Sequence, residues 1–405
     1  MASVTPRAAK TGYSWRVQAR VDGQLKQTTF HGPNNAKVKK AADQFADLAE
    51  RVGWESAMAV REARTGNPGA VTLTDYTQRY LDPSSGILTG VEQGTREGYA
   101  SIAERSFLQI LGDMPLTAIT RTDVGRWLAW QEKQPAWRDR HKPIDDQKPL
   151  SAKTIKNYHA LLSSILKSAV AHKLIDENPA YKMRMTRGTK RENVFLSPAE
   201  FDTLLHFLPK RHQRFVLFLA GTGCRWGEAT ALTWADVALH SNPPTVRITK
   251  AWKKKKGGPL LSYPKTSRSR RSVSLFADLV GIMGTPAGPG EYVFPNETGG
   301  HLWHGPFMRA WNPAVVKATD RELCERLGLT PLSRRPTPHD LRHTHASWLI
   351  ARGIPLPYIQ ARLGHESITT TVNTYGHLVP DAHDQMASAI GATLQSSRPL
   401  RALSE

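Results

Sequence analysis

The sequence predicts a multidomain chain that is mainly α with small β-sheets, and three patterns carry that reading. Two alternating runs, Tyr13–Val21 and Gln24–Phe30, flank Asp22-Gly23, a strong short-range signal for a β-hairpin. Apolar residues then recur at helical spacing from about Ala36 to Arg51 and again from Thr72 to about Pro179. Beyond Phe195, helical stretches are interrupted by two short alternating runs, Val246-Arg-Ile-Thr249 and Arg271-Ser-Val-Ser-Leu275, which read as paired strands in a mixed α+β domain.

The first module, 1–63, is a small hairpin plus helix. Val38, Ala42, Phe45 and Leu48 lie on one helix face, and Arg16, Arg20, Lys26, Lys37, Lys39 and Lys40 supply positive charge. Two strands rarely stand alone, so a third near His31 is expected. Such a module either contacts a polyanion or serves packing or dimerisation. Arg64-Thr-Gly-Asn-Pro-Gly69 reads as a linker. A helical domain over 70–180 follows, and its clearest helix runs Ser151–Lys173 with Ser151 as N-cap. Ile155, Tyr158, Leu161, Leu162, Ile165 and Ala169 form its apolar face, while Lys153 and Lys156 are polar-face cations. Lys133–Pro149 is polar, Pro-interrupted and read as a loop. The stretch 181–194 is a basic linker containing Arg187 and Lys190. The last domain, 195–395, opens with a capping box, Ser197-Pro-Ala-Glu200, and 396–405 is a tail.

Charge narrows the partner. Lys and Arg number 55 against 35 Asp and Glu, a formal net charge of +20 that points to nucleic acid, with a generally basic soluble protein as the alternative. The two cysteines, Cys224 and Cys324, cannot make a disulfide framework and suit a reducing compartment. No apolar run approaches the ~20 residues that span a bilayer, and Met1-Ala-Ser-Val-Thr-Pro6 lacks the apolar segment of a signal peptide, so an intracellular protein is expected.

Four separated pieces of the last domain carry chemistry. Thr222-Gly-Cys-Arg-Trp-Gly-Glu228 follows an apolar helix; Gly221 and Gly223 permit a tight turn, and Glu228 is three residues from Arg225, close enough to hold its guanidinium. Alone, that pair reads as a surface ion pair. The basic run Pro264-Lys-Thr-Ser-Arg-Ser-Arg-Arg271 places Lys265 directly before a strand and includes Arg268 and Arg270. His339 and Arg342 lie one turn apart, and Leu363-Gly-His365 precedes Thr369-Thr-Thr-Val-Asn-Thr-Tyr375. His339 and His343 are four apart, but a third metal ligand is not evident, and His343 and His345 are read as helix-face residues outside the chemistry. Two guanidiniums can clamp a phosphodiester bidentately. A tyrosine hydroxyl with pKa ≈ 10 needs help losing its proton before it attacks, and a departing deoxyribose oxygen needs a proton donor, a role a lysine can fill.

This ordered set resembles the signature of the tyrosine recombinases, or phage integrases. The resemblance is specific over 195–395 and softer over 72–180, which looks like the family's core-binding domain; 12–51 is similar to arm-binding modules of phage and conjugative-element integrases. It implies that Tyr375 attacks the scissile phosphate to leave a 3′-phosphotyrosine, that Arg225 and Arg342 clamp the phosphate, and that Lys265 protonates the 5′-oxygen. It further implies that His339 assists proton transfer with Tyr375, that His365 hydrogen-bonds the phosphate, and that Glu228 supports the Arg225/His339 geometry. No metal and no other cofactor is implied. The implied partners are double-stranded attachment sites, a homotetramer on DNA, and a DNA-bending host factor with a directionality factor; the implied place is the bacterial cytoplasm, at the nucleoid. Ala382–Leu394 looks like a C-terminal helix that docks on a neighbouring protomer. The ten residues from His365 to Tyr375 leave room for a mobile connection that holds Tyr375 away from DNA. The readings that compete with an integrase are a resolvase-type recombinase and a DNA-binding regulator with an idle catalytic domain.

Overall fold

The computed structural model describes residues 2–9, 11–66, 69–186, 188, 192–255, 258–263, 270–286, 288–378 and 383–395. The chain divides into two compact units, Met1–Lys190 and Arg191–Glu405.

The first unit begins with an antiparallel three-stranded sheet in the order β1 (Ser3–Arg7), β2 (Tyr13–Val21), β3 (Gln24–Gly32). Asp22 and Gly23 both take positive φ, 51° and 81°, the geometry of a tight two-residue hairpin turn, and Val21 pairs with Gln24. The third strand is therefore β1, on the far side of β2, and not a segment near His31, which belongs to β3. β1 carries Pro6 and almost no apolar alternation, so its signal in the sequence is weak; as an edge strand it tolerates the missing N–H.

Helix α1 (Asn35–Val52), capped by Asn34, buries Val38, Ala42, Phe45, Ala46, Leu48 and Val52. Phe45 packs against Phe30 of the sheet and Trp54 at ring-centroid distances of 5.5 and 5.3 Å. A second helix, α2 (Trp54–Gly66), runs through the first three residues of the stretch that reads as a linker. Its Arg61 stacks over Phe30 at 4.3 Å and donates to the Thr29 carbonyl, so a local basic residue is spent on the fold.

Beyond these lie α3 (Leu73–Leu81), α4 (Gln93–Arg105), α5 (Leu108–Leu111), α6 (Arg121–Glu132) and α7 (Ala152–Ala171), with Thr72–Asp75 and Thr120–Asp123 capping boxes and Ser151 as the α7 N-cap. Ile155, Tyr158, Leu161, Leu162, Ile165, Leu166 and Ala169 form the buried face of α7. One hydrophobic core runs from Val17 of β2 through Phe45 and Trp54 to Leu162. Arg126 of α6 reinforces that continuity by donating to the Val52 carbonyl and the Ser56 hydroxyl at 2.6 Å each. The hairpin module and the helical region thus fold as one packed body.

The second unit opens with α8 (Pro198–Phe207), whose Ser197–Glu200 box and Pro198 at the first turn match the sequence signal. Then follow α9 (Lys210–Thr222), α10 (Trp226–Ala229) and a three-stranded antiparallel sheet ordered β4 (Val237–Ala238), β5 (Thr245–Ile248), β8 (Arg271–Ser274). Strands β6 (Ala251–Lys255) and β7 (Gly258–Ser262) form a separate two-stranded hairpin. α11 (Ala277–Met283), α12 (His304–Ala318), α13 (Arg321–Arg326), α14 (Asp340–Ala351), α15 (Leu356–Leu363), α16 (Ile368–Tyr375) and α17 (His383–Gln395) complete it. A core of Phe215, Phe218, Val246, Val273, Phe307 and Trp311 joins these helices to the sheet. Among the described residues no helix is long and apolar enough to cross a membrane.

Leu162 is fully buried in the core that the hairpin module and the helical region share. Leu162→Ala should therefore lower unfolding stability by about 2–5 kcal/mol, read as a fall in the denaturant midpoint.

Candidate active site

The site gathers where α9 ends. Gly223 closes that helix with φ of +68°, and a Cβ there would come within 2.7 Å of both His345 and Leu363. Only glycine fits, and its carbonyl then faces Arg342. Arg342, buried on the first turn of α14, donates to the Gly223 and Leu363 carbonyls at 2.8 Å each. One side chain thereby ties the α9 turn to the end of α15. The start of α14 is itself fixed by buried Asp340, which accepts from Thr337 and from the backbone N–H of Val194.

Glu228 is the hub beside this clamp. Its carboxylate accepts from the Arg225 backbone and guanidinium at 2.9 and 2.8 Å, and from both terminal nitrogens of Arg271 at 2.8 and 3.3 Å. Arg271 in turn donates Nε to the Arg362 carbonyl at 2.7 Å. Arg362 reaches back to Gly221, Ser274 and His345, so β8, α10, α15 and the α9 turn are laced together. His345 sits inside this lacing with Nδ1 on the Ala220 carbonyl at 2.7 Å; burial, then Arg362, push its pKa down to about 3 and keep it neutral.

Tyr375 ends α16 with its ring docked and 1% exposed. Its hydroxyl lies 2.9 Å from Nδ1 of His343, and its ring stacks on His365 at 6.4 Å between centroids, 10° from parallel. His365 in turn contacts the Thr371 hydroxyl at 2.9 Å. The expected mobile connection is absent from this arrangement: α16 starts three residues after His365, and a regular helix delivers Tyr375 into the site. Burial pushes the Tyr375 pKa up to about 12, against the lowering pull of Arg342 and Arg225. Burial, then the charges of Arg342, Arg225 and Arg271, push His365 down to about 4. Burial and Arg342 likewise lower His339, whose ring meets His343 edge-on at 5.1 Å. Arg342 is lowered by burial and by Arg225 to about 10, still protonated at neutral pH.

A buried tyrosine that meets His343, stacks on His365 and feels the charges of Arg342 and Arg225, with a carboxylate holding Arg225, suits a phosphodiester approached by a phenol oxygen. Residues 194–381 match the phage integrase family. The chain belongs to that family of tyrosine recombinases.

Its relatives agree. The ICEBs1 integrase of Bacillus subtilis is 30% identical over 249 residues, 60% of this chain and 66% of that one. The putative prophage phiRv2 integrase of Mycobacterium tuberculosis is 25% identical over 389 residues, 90% of this chain and 92% of that one. Among solved structures, the Tn1549 transposon integrase in complex with a circular intermediate DNA shares the fold with a TM-score of 0.60 at 22% identity, over 79% of this chain and 99% of that chain. The chain is thus a site-specific recombinase of the integrase type, the class that integrates or excises mobile elements.

In this recombinase the structure brings together Arg225, Glu228, His339, Arg342, His365 and Tyr375 from elements more than a hundred residues apart in sequence. Lys265, Arg268, Arg187 and Lys190 lie outside the described residues. Arg20, Lys153, Lys156 and Arg270 are exposed, and Arg16 is half-buried. Cys224 and Cys324 are free and buried. Two residues were missed by sequence reasoning. Arg271 shares a strand face with buried Val273 and Leu275, so alternation alone points it inward. His343, assigned above to a helix face outside the chemistry, touches the Tyr375 hydroxyl; its spacing one position past Arg342 carries no such signal.

Burial raises the Glu228 pKa, but the hydrogen bonds and charge of Arg271, with Arg225, outweigh it and bring it from 4.5 to about 2. A carboxyl depressed in the fold stabilises it above the ordinary value and loses that contribution as pH falls through the folded one. The difference is worth roughly 3 kcal/mol. Glu228→Gln should destabilise the protein at pH 7 and flatten the decline in denaturant midpoint that the parent shows between about pH 5 and pH 2.

Proposed function

We propose that this recombinase cuts and rejoins its DNA through Tyr375. The observation that carries the reading is the docked phenol, stacked on His365 and within the electrostatic reach of Arg342 and Arg225. Tyr375 Oη attacks the scissile phosphorus, leaving a 3′-phosphotyrosine and a free 5′-hydroxyl. Arg225 and Arg342 hold the non-bridging oxygens, and Lys265 protonates the leaving 5′-oxygen. His365, neutral by its surroundings, donates one hydrogen bond to the phosphate; His339 assists the proton transfers, and Glu228 holds Arg225 in place. Because the phosphotyrosine keeps the bond energy, strand rejoining needs no nucleotide.

The partners follow from charge and exposure. We assign phosphate contacts to Arg16, Arg20, Lys153, Lys156, Arg187, Lys190, Arg268 and Arg270, of which the described exposed ones face solvent. The sheet supports an arm-binding role for residues 1–63. Trp15, Val17 and Ala19 pack toward the core, so period-2 alternation puts Arg16, Gln18 and Arg20 on the opposite face, beside Thr5 and Ser3 of β1. Residues 70–180 would hold the core site, 181–194 would cross the duplex, and 195–395 would perform the chemistry. A solved lambda integrase structure is a tetramer bound to a Holliday junction; we assign this chain the same homotetrameric assembly on its attachment sites, working with a bending host factor and a directionality factor at the nucleoid of the bacterial cytoplasm. The apolar stripe Met386, Ile390 and Leu394 on α17 is exposed and suits docking on a neighbouring protomer.

On a nicked attachment-site duplex, the parent protein should accumulate a covalent adduct and Tyr375→Phe none, with DNA affinity unchanged; an adduct surviving in Tyr375→Phe would move the nucleophile elsewhere. Chelator should leave the reaction rate unaltered. Because residues 35–66 help build the shared core, the arm assignment is tested by substitution and not by truncation. Arg16→Ala with Arg20→Ala should spare core-site cleavage, impair integration at arm-bearing DNA, and reduce the salt slope of arm binding by about 1 per lost phosphate contact.

A further inference from the structure

The nucleophile's proton has to go somewhere, and the resemblance assigns that task to His339. The geometry selects a different group. Among the described residues, the hydrogen-bond partner of Tyr375 Oη is Nδ1 of His343, at 2.9 Å, with the two rings 5.7 Å apart. His339 instead presents its ring edge-on to His343 at 5.1 Å, one turn earlier on the approach to α14. Resting on the assignment of Tyr375 as nucleophile, we propose that His343 is the catalytic residue that takes the phenolic proton during cleavage and returns it during rejoining.

The position is built rather than accidental. His343 leaves α14 on the side facing α16, and Phe195 closes its outer edge at 6.4 Å between centroids. The helix frame that sets it is the one that fixes Arg342, whose two carbonyl contacts at 2.8 Å allow little rotation of α14. The clamp and the proton acceptor are therefore adjacent residues on one rigid turn. The groups around the imidazole are His339 on its own segment, Tyr375 on α16, and the stacked His365 beyond it.

The step balances. In the proposed step His343 acts in the tautomer that bears its proton on Nε2, so that Nδ1, 2.9 Å from Oη, presents its lone pair to the phenol. As the Oη–P bond forms, the phenolic proton moves to Nδ1 and the P–O5′ bond breaks, its electron pair leaving on the 5′-oxygen, which takes a proton from the general acid. In rejoining, the 5′-hydroxyl attacks the phosphorus and returns its proton to the conjugate base of the general acid, the P–Oη bond breaks, and the Nδ1 proton returns to Oη. The buried phenol, whose pKa stands near 12, has little tendency to ionise without such an acceptor.

His343→Asn places an amide close to the Nδ1 position, able to hydrogen-bond Oη but unable to accept its proton. The full-length protein is assayed on a nicked duplex carrying the junction sequence that the parent protein captures covalently. Formation of that adduct by the parent, and its absence in Tyr375→Phe, checks the underlying reading separately. With the parent active, His343→Asn should bind the duplex with unchanged Kd and form adduct about 100-fold more slowly. Incorporating a fluorinated, more acidic tyrosine at 375 should recover at least about tenfold of that loss, because an acidic phenol depends less on a base. A defect that the acidic phenol does not relieve, or no defect, overturns the proposal and leaves His343 a packing residue. If the asparagine variant fails to fold, His343→Gln in the same comparison yields the same two outcomes.

Discussion

The buried Glu228–Arg271 pair is the contact on which the second unit's site depends. An ionised carboxylate away from water is unfavourable unless its oxygens are filled, and here they are filled by Arg271, by the Arg225 backbone and by the Arg225 guanidinium. What the pair secures is geometry. Arg271 spans from β8 to the carbonyl of Arg362, while Glu228 belongs to the short helix that begins at Arg225, so a strand, a four-residue helix and the end of α15 share one register. A four-residue helix has negligible stability of its own. Without the pair, Arg225 would sit on a turn with nothing to orient it.

The same logic separates what the sequence shows from what it hides. The hairpin turn was legible because Asp22-Gly23 must take positive φ, and Ser151 and Ser197 were legible because a cap bonds to residues two or three positions along. Strands β5 and β8 were recognisable by alternation, and all of these are local signals. The ordered Arg, His, Arg, His, Tyr set, spread from Arg225 to Tyr375, was legible only through its resemblance to a family signature. Strand β1 was not legible, since its identity comes from pairing with β2 and not from its own residues. Arg271 sat in a run of cations whose neighbours read as solvated, and only its strand parity distinguishes it. His343 could not be found from spacing, because its significance is a contact with a residue thirty-two positions later.

The site is also charged before any DNA arrives. Arg225 and Arg271 share the Glu228 carboxylate while Arg342 stands near them on backbone carbonyls, which leaves positive charge in excess, and burial with the like charge of Arg225 lowers the Arg342 pKa. Under the mechanism we propose, a phosphodiester held by Arg225 and Arg342 would offset that charge, and more so as charge accumulates on its non-bridging oxygens. Backbone carbonyls, not carboxylates, hold Arg342 in place: Gly223 and Leu363 orient its guanidinium without neutralising it. An acidic partner in that position would compete with the phosphate.

That charge excess does not by itself ionise the nucleophile. Arg342 and Arg225 both favour the phenolate, yet burial outweighs them and Tyr375 stands near 12. An entering phosphate adds negative charge beside the hydroxyl and works further against ionisation. In the proposed reaction the electrostatic help would therefore act on the pentacovalent transition state, and deprotonation would be concerted with attack through a group already touching Oη. His345 is bound at both nitrogens, and His365 is turned toward Thr371 with its ring flat against the tyrosine. The imidazole in line with the hydroxyl is the one at 343, and docking Tyr375 into the site is what creates that line.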